Sequence, residues 1–311
     1  MTPEQFWKNF NLLDEVSIAG AFVYNGLRRF HEMRHLEHTD ELFELFYNLS
    51  VGIERLLKVA IVLLEHDQTT DVEKLEQSLI THSHLELLGR VKQHAQINFG
   101  PVHNEFLALL STFYKSHRYN RFLASSVHQR DQEKVALLQF LSKHLDVEFQ
   151  TGPLLGIANE PRYRKFIRKV GIKITEALYV VVRDAAQNQN LYTYELRHDS
   201  RAESVFLGNA DLPTEDVAWK ELIVYLVNTK DKGGALEHIR SIPPLEFDPA
   251  LVQDYLESFR TATMSSEVSD LVETLYWDIE KEDRSERLSM LSAIADPHVY
   301  FDFDEDDEYQ E

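Results

Sequence analysis

TDELFELFYNLSVGIERLLKVAIVLLEH, residues 39 to 66, is the stretch that decides the fold. It opens with Thr39 and Asp40, which suit the start of a helix, and glutamates follow in the first turn. Apolar residues then recur at three- and four-residue spacing, the period of a helix with a buried face. They are Leu42, Phe46, Leu49, Ile53, Leu56, Leu57, Ala60, Leu63 and Leu64. Because its second half is apolar on nearly every side, the stretch predicts the central helix of a bundle.

Helical patterns continue on both sides of this stretch. The connection FQTGPLLGIANEP, residues 149 to 161, interrupts them with Gly and Pro. From Pro213 onward, four or five more helices are predicted, separated by KDKGG and IPPLEFDP. The other predicted helices lie at about 4–36, 72–80, 83–97, 102–115, 117–128, 130–145 and 161–187.

Residues 190–208, NLYTYELRHDSRAESVFLG, depart from the helical pattern. Tyr192, Tyr194 and Leu196 alternate with polar residues, which predicts a short strand or hairpin. The sequence therefore predicts a mainly α fold, a helical bundle with a short β hairpin and an additional C-terminal helical region. We expect its parts to be a bundle at 1–208, a helical region at 209–300 and an acidic tail at 301–311.

The composition excludes several classes of protein. The chain has no cysteine, so disulfides, thiolate metal sites and a cysteine nucleophile are ruled out. It carries no Gly-rich phosphate loop and no GxGxxG, which argues against P-loop ATPases and Rossmann enzymes. The amino terminus lacks a secretory pattern, and the apolar run VAIVLL (59–64) is far shorter than the roughly 20 residues of a membrane span. We expect a soluble, cytoplasmic chain that does not contact membrane.

The charge is strongly negative and unevenly distributed. The net charge is −20, of which residues 1–150 contribute −5 and the remainder −15. Phosphate neutralisation by cationic side chains drives nucleic-acid binding, so an acidic chain is not attracted to nucleic acid as a whole. Any contact with RNA must therefore use a local basic patch.

One such patch is FYKSHRYNRFLASSVH, residues 113–128. Arg121 and His128 lie seven residues apart, about two helical turns, so they share a helix face separated by roughly 10 Å of rise. A neutral histidine can accept the proton of a ribose 2′-hydroxyl, and an arginine can stabilise charge on phosphate oxygens. Arg121 and His128 are therefore candidate catalytic residues, with Lys115 and Arg118 as electrostatic support. The same spacing also occurs on ordinary amphipathic helices.

Four stretches carry a family resemblance: LFYNLSVGIERLLKVAIVLL (45–64), HSHLELLGRV (82–91), FYKSHRYNRF (113–122) and NLYTYELRHDSRA (190–202). A long helix with Gly-Ile-Glu-Arg-Leu-Leu-Lys, followed by a late helix with arginine, resembles the HEPN superfamily of all-α domains over roughly residues 15–205. The resemblance implies an Arg–x4–6–His motif, which Arg121 and His128 match at its outer limit. It also implies a homodimer acting as a metal-independent ribonuclease of a bacterial defence or toxin–antitoxin system. Members without the motif serve as binding or scaffold domains.

A second basic patch is RYRKFIRKVGIK, residues 162–173. Arg164 and Arg168 form one helical stripe, and Lys165 and Lys169 form the adjoining one. These four residues are candidate nucleic-acid contacts on a groove wall. Alternatively, this basic face docks on acidic parts of the same chain or on an acidic partner.

A possible metal site and an alternative function also follow from the sequence. His31, His35 and His38 have a spacing that could bind a transition metal, but Arg34 would repel a cation, and a solvated helix is the preferred interpretation. We therefore expect no metal and no cofactor. The alternative function is a catalytically inactive interaction or regulatory protein whose acidic C-terminal half binds a basic partner. The charge of that half and Phe122, directly after Arg121, favour this alternative.

Overall fold

The computed structural model describes residues 3–120, 122–124, 131–149, 156–197, 200–230, 233–261, 265–296 and 298–301. The chain divides into two compact units, Met1–Leu212 and Pro213–Glu311. We refer to them as unit 1 and unit 2. The described residues are mainly α-helical, as the sequence predicts.

Unit 1 contains most of the long helices. Three of them, α2, α3 and α9, pack directly against one another and form its centre. The elements of unit 1 are α1 (Pro3–Phe6), a π-helical turn (Trp7–Leu12), α2 (Leu13–Glu32), α3 (Thr39–Glu65), α4 (Val72–Ser78), α5 (His84–His94), α6 (Pro101–Thr112), a second π-helical turn (Phe113–His117), α7 (Arg118–Asn120), α8 (Gln132–Leu145), α9 (Pro161–Asn188), a 3₁₀ turn (Tyr194–Leu196) and α10 (Arg201–Phe206).

Helix α3 is the central helix of unit 1, which confirms the prediction from its periodicity. Sixteen of its 27 residues are buried, including the polar Ser50 and Glu54. It packs on α2, α5 and α9 at once, so its faces are covered from several directions. Even so, neither this helix nor any other that the structure describes is long and apolar enough to cross a membrane.

Two glycines let α2 and α3 approach closely. A Cβ on Gly52 would lie 2.8 Å from Cγ2 of Val23 and 2.9 Å from the carbonyl oxygen of Ala19. A Cβ on Gly26 would lie 2.9 Å from Cγ of Leu49. Since real Cβ atoms do not make such short contacts, the glycines in this interface are required by the packing of the two helices.

The segment before α9 is held to the loop that follows α2. The backbone N–H of Leu36 donates to the Ile157 carbonyl at 2.7 Å, and an isolated β-bridge joins His35 to Ala158. The buried Asn159 amide donates to the carbonyl of Phe30 at 2.7 Å, at the end of α2. The Asn159 bond satisfies a carbonyl that the last turn of α2 leaves without a helical partner.

The predicted β hairpin near 190–208 is wrong. Within the described part of that segment there is no strand, and the residues form a 3₁₀ turn and α10 instead. Tyr192 and Tyr194 are both largely exposed, so their alternation does not mark a buried strand face. Ser200 caps α10 by accepting the N–H of Glu203 at 3.0 Å, in the Ser-x-x-Glu arrangement of a capping box.

Unit 2 is also helical. Its elements are α11 (Leu212–Asn228), which begins on the last residue of unit 1, α12 (Gly234–Ser241), a 3₁₀ turn (Pro249–Leu251), α13 (Val252–Thr261), α14 (Ser266–Trp277) and α15 (Lys281–Ser292). Few of its described apolar side chains are buried, namely Ile242, Val268 and Tyr276. By contrast, the core of unit 1 contains side chains from nearly all of its helices.

Candidate functional site

A cavity of about 350 Å³ lies beside α3 in unit 1. Its wall includes charged side chains from the middle of α3, namely Glu54, Arg55 and Lys58. Trp7 and Tyr114 add aromatic surface from the two π-helical turns. We call this cavity and the polar residues at its edge the α3 cleft. Because π-helical turns are rare and frequently occur at functional sites, two of them on one cleft single it out.

A histidine–carboxylate pair lies at the edge of the α3 cleft, where His82 contacts the lining residue Glu54. Nδ1 of His82 lies 3.0 Å from Oε2 and 3.2 Å from Oε1 of Glu54. The Glu54 carboxylate is buried, whereas about half of the His82 side chain is exposed to solvent. Lys58, one turn further along α3, approaches the same carboxylate with its Nζ at 2.7 Å. Glu54 is thus held by two cationic or proton-donating groups, as a buried carboxylate requires.

The contact with Glu54 determines which ring nitrogen of His82 can accept a proton. If Nδ1 donates its proton to Glu54, Nε2 of His82 is left with a free lone pair. A carboxylate that fixes the tautomer and orientation of a histidine also stabilises the imidazolium that forms when the ring accepts a proton. His82 therefore has the environment of a general base.

Aromatic and cationic groups lie next to His82. The rings of His82 and Tyr114 meet edge to face, with centroids 4.9 Å apart. The Arg118 guanidinium stacks on Tyr114, its central carbon 3.8 Å from the ring centroid, and lies 4.4 Å from the Tyr119 centroid. Burial raises the pKa of the Tyr114 phenol, although the charge of Arg118 opposes this. Arg118 and His82 thus both lie against the Tyr114 ring, and the planar cation of Arg118 would attract an anionic phosphate there.

A buried network fixes the segment that carries His82. Two residues further on, the fully buried His84 has Nε2 at 2.8 Å from the Ser50 carbonyl and Nδ1 at 3.2 Å from Oγ of Ser111. The backbone N–H of His84 donates to the same Oγ at 3.0 Å. Burial lowers the pKa of His84, so the neutral imidazole is favoured. His84 thus anchors the start of α5 to α3 and α6, and with it the position of His82.

Of the first predicted patch, Lys115 and Arg118 lie within the described residues. Nζ of Lys115 is exposed and lies 3.8 Å from Oε1 of Glu86. Arg121 and His128, the predicted catalytic pair, lie outside the described residues. Helix α7 ends at Asn120, whose side-chain amide donates to Oε1 of Gln132 at 3.0 Å. Asn120 and Gln132, which flank Arg121 and His128 in the sequence, are therefore linked to each other.

The second predicted patch divides into two pairs of residues. Arg168 donates to the carbonyls of Gly208 and Ala210 at 2.9 and 3.0 Å, and Arg164 donates to the carbonyl of His31 at 3.1 Å. Both arginines bind the ends of neighbouring helices of unit 1. Lys165 and Lys169 are exposed, and neither forms an ion pair with another residue that the structure describes. The lysines remain candidate phosphate contacts, while the arginines also have an internal structural use.

Glu54 and His82 were not among the candidate residues that the sequence suggested. Both occur in the stretches that carry the family resemblance, but they lie 28 positions apart. Three of those stretches, which contribute Glu54, His82 and Tyr114, converge on the α3 cleft. Spacing along a single helix does not reveal this site, because its residues come from three stretches that are distant in the sequence.

No cluster of three or more possible metal ligands occurs in the part of the chain that the structure describes. Comparison with known proteins gave no relative: no family model, no curated protein and no solved structure matches the chain.

Proposed function

We propose that the chain binds RNA and cleaves it without a metal ion, in the manner expected of a HEPN-type endoribonuclease of a bacterial defence or toxin–antitoxin system. The observation that supports this most directly is the His82–Glu54 pair beside the Arg118–Tyr114 stack. It joins a candidate base to a cation that can hold phosphate. This is the combination that attack by a 2′-hydroxyl needs.

The reaction would proceed by transfer within the RNA strand. Nε2 of His82 takes the proton of the ribose 2′-hydroxyl while that oxygen forms a bond to the adjacent phosphorus. The bond between phosphorus and the 5′-oxygen of the next nucleotide breaks, and the leaving oxygen takes up a proton. Arg118 and Lys115 offset the negative charge that develops on the phosphorus oxygens. Glu54 accepts the hydrogen bond of Nδ1 and so stabilises the imidazolium.

Arg121 and His128 keep a place in this proposal. Arg118, three residues before Arg121 in the sequence, stacks on Tyr114 of the α3 cleft. His128 is a candidate to protonate the leaving oxygen, and Arg121 a second phosphate contact. A homodimer, which the resemblance implies, would bring two such segments together, and light scattering should then give twice the mass of the chain.

The experiment is cleavage of a labelled RNA pool in excess EDTA. We expect His82→Asn to lower the rate by about 100-fold or more, since general bases contribute 10² to 10⁴. His94→Asn is the matched control, because Nε2 of His94 also lies near a carboxylate, 3.7 Å from Glu65, but outside the α3 cleft. Circular dichroism should show both variants folded.

Three results would contradict the proposal. Loss of cleavage in EDTA would reject the metal-independent route. Equal rates for His82→Asn and the parent, with no cleavage by His128→Ala, would place the reaction on Arg121 and His128 alone. If no RNA is bound or cut by the parent chain, the second candidate function takes its place.

That second candidate is an inactive interaction or regulatory protein. The observation that favours it is the exposed apolar surface of unit 2, which includes Leu222, Leu226 and Val227. Binding of a basic protein partner without any cleavage of RNA would support it.

A further inference from the structure

Helix α11 has the composition of a buried helix but is exposed. Its last twelve residues, VAWKELIVYLVN (217–228), are apolar on nearly every side, with Lys220, Glu221 and Asn228 as the exceptions. A helix of this kind is ordinarily enclosed by other elements. Yet its large apolar side chains are exposed: Leu222 by 58%, Leu226 by 56% and Val227 by 77%.

The exposed apolar residues of α11 include a continuous stripe. Trp219, Leu222 and Leu226 lie at positions i, i+3 and i+7 and therefore share one helix face. Contiguous apolar surface of this kind on a protein marks an interaction site. We call this stripe the α11 face.

The rest of unit 2 is poor in buried apolar side chains. Among its described residues only Ile242, Val268 and Tyr276 are buried and apolar, while Phe259 and Trp277 are mostly exposed. A unit of about a hundred residues ordinarily buries a much larger core. Unit 2 therefore leaves most of its apolar surface available to a partner.

Charge indicates what kind of partner would cover the α11 face. Residues 213–311 carry 8 basic and 25 acidic side chains, a balance of −17, whereas residues 1–212 have a balance of only −3. A second copy of the chain would bring two such acidic units together, which electrostatic repulsion disfavours. An anionic membrane surface is disfavoured for the same reason. A basic partner would be attracted by the negative charge of unit 2 and would also bury the apolar residues of the α11 face.

We infer that unit 2 is a docking surface for a protein segment that forms a basic amphipathic helix. The apolar side of that helix would pack on Trp219, Leu222 and Leu226, and its lysines or arginines would face the acidic side chains of unit 2. This inference goes beyond the proposed ribonuclease function and does not depend on it, because no residue of the α3 cleft takes part.

The test is binding of a defined probe to the full chain. The probe is a fluorescein-labelled synthetic peptide of about 20 residues, made of Leu and Lys with helical periodicity. A second peptide has Glu at every Lys position. We expect fluorescence anisotropy to show binding of the Leu–Lys peptide, weakened by added salt, and no binding of the Leu–Glu peptide.

Leu222→Glu combined with Leu226→Glu is the decisive variant. It adds two negative charges, so a peptide held by charge alone would bind it more tightly than the parent. If the peptide docks on the α11 face, the double variant should instead bind the Leu–Lys peptide at least tenfold more weakly than the parent does. Ile80→Glu, at a side chain of unit 1 that is 82% exposed, is the matched control and should bind like the parent.

Three results would overturn the inference. The first is undiminished or tighter binding of the Leu–Lys peptide by the Leu222→Glu, Leu226→Glu variant, and the second is no binding by the parent. The third is a parent dimer that this double variant converts to a monomer in light scattering, because a second copy would then occupy the α11 face. The substituted leucines are exposed, so circular dichroism of the variant should match that of the parent.

Discussion

Replacement of the buried His84 by glutamine should make the stability of the chain less sensitive to acid. In the fold, His84 is neutral, with one ring nitrogen at the Ser50 carbonyl and the other at the Ser111 hydroxyl. Burial lowers its pKa below the ordinary 6.5. Once the chain unfolds, the same imidazole is hydrated and titrates near 6.5.

The sign of the effect follows from these two states. Below pH 6.5 the unfolded chain binds a proton at His84 that the folded chain does not, so the free energy of unfolding falls as the pH falls. One such proton contributes a slope of up to about 1.4 kcal/mol per pH unit, from pH 6.5 down to the lowered pKa of the folded state. Above pH 6.5 this contribution does not vary.

His84→Gln removes the titration and part of the hydrogen-bond network. At pH 8 it should cost about 1–3 kcal/mol, because buried hydrogen-bond partners lose their donor or acceptor. Between pH 6.5 and 5.5 the parent should lose up to about 1 kcal/mol more than the variant loses, because the unfolded imidazole is already half protonated at pH 6.5. Urea unfolding followed by circular dichroism at pH 8.0, 6.5 and 5.5 measures both differences.

A second histidine gives the control. Burial, with a smaller contribution from Lys173, also lowers the pKa of His103, but His103 is only partly buried. His103→Gln should therefore change the slope less than His84→Gln does. If the parent and His84→Gln lose stability in parallel between pH 6.5 and 5.5, the reasoning about His84 is refuted.

Two more substitutions, each with its own control, test the interior of unit 1 by thermal unfolding. Gly52→Ala should destabilise the chain by about 1–3 kcal/mol, despite the higher helix propensity of alanine, because its Cβ would press on the backbone of α2. Gly89→Ala, where a Cβ meets nothing within 4 Å, should instead stabilise by up to about 1 kcal/mol, and equal effects at the two sites would contradict this account. Lys8→Met should cost about 1–3 kcal/mol, since the buried Lys8 ammonium donates to the His66 carbonyl and to Gln189 at 3.0 and 2.6 Å. Lys74→Met, at a solvent-exposed side chain, should lower the free energy of unfolding much less. If Lys8→Met leaves the stability unchanged, the two hydrogen bonds of Lys8 contribute little.

The sequence predicts α3 well because 27 residues supply many repeats of one period, and each adds to the same signal. It fails at Tyr192, Tyr194 and Leu196, where three alternating positions are too few to separate a strand from an exposed turn. The better signal there was Ser200 followed by Glu203, a helix start that outweighs the alternation.

The candidate site depends on tertiary contacts that spacing does not encode. The π-helical turn at Phe113–His117 has the same apolar pattern as an α-helix, and Phe113 packs on Phe43 and Phe46. Likewise, the positive charge of Arg168 suggests a contact with phosphate, but its side chain donates to carbonyls beyond the end of α10. Only the folded path of the chain brings His82 to Glu54.

The π-helical turn at Phe113–His117 has a consequence for how this chain could change in length. Such a turn holds one residue more than an α-helical turn, so deletion of Ser116 could restore ordinary α-helical bonding without breaking the helix. The rest of this helix, Arg118 to Asn120, would then rotate by about 100° relative to Phe113, which stays in the core. Arg118 would leave the Tyr114 ring. Deletion of a single residue here would thus remove Arg118 from the candidate site while the helical bundle of unit 1 stays folded.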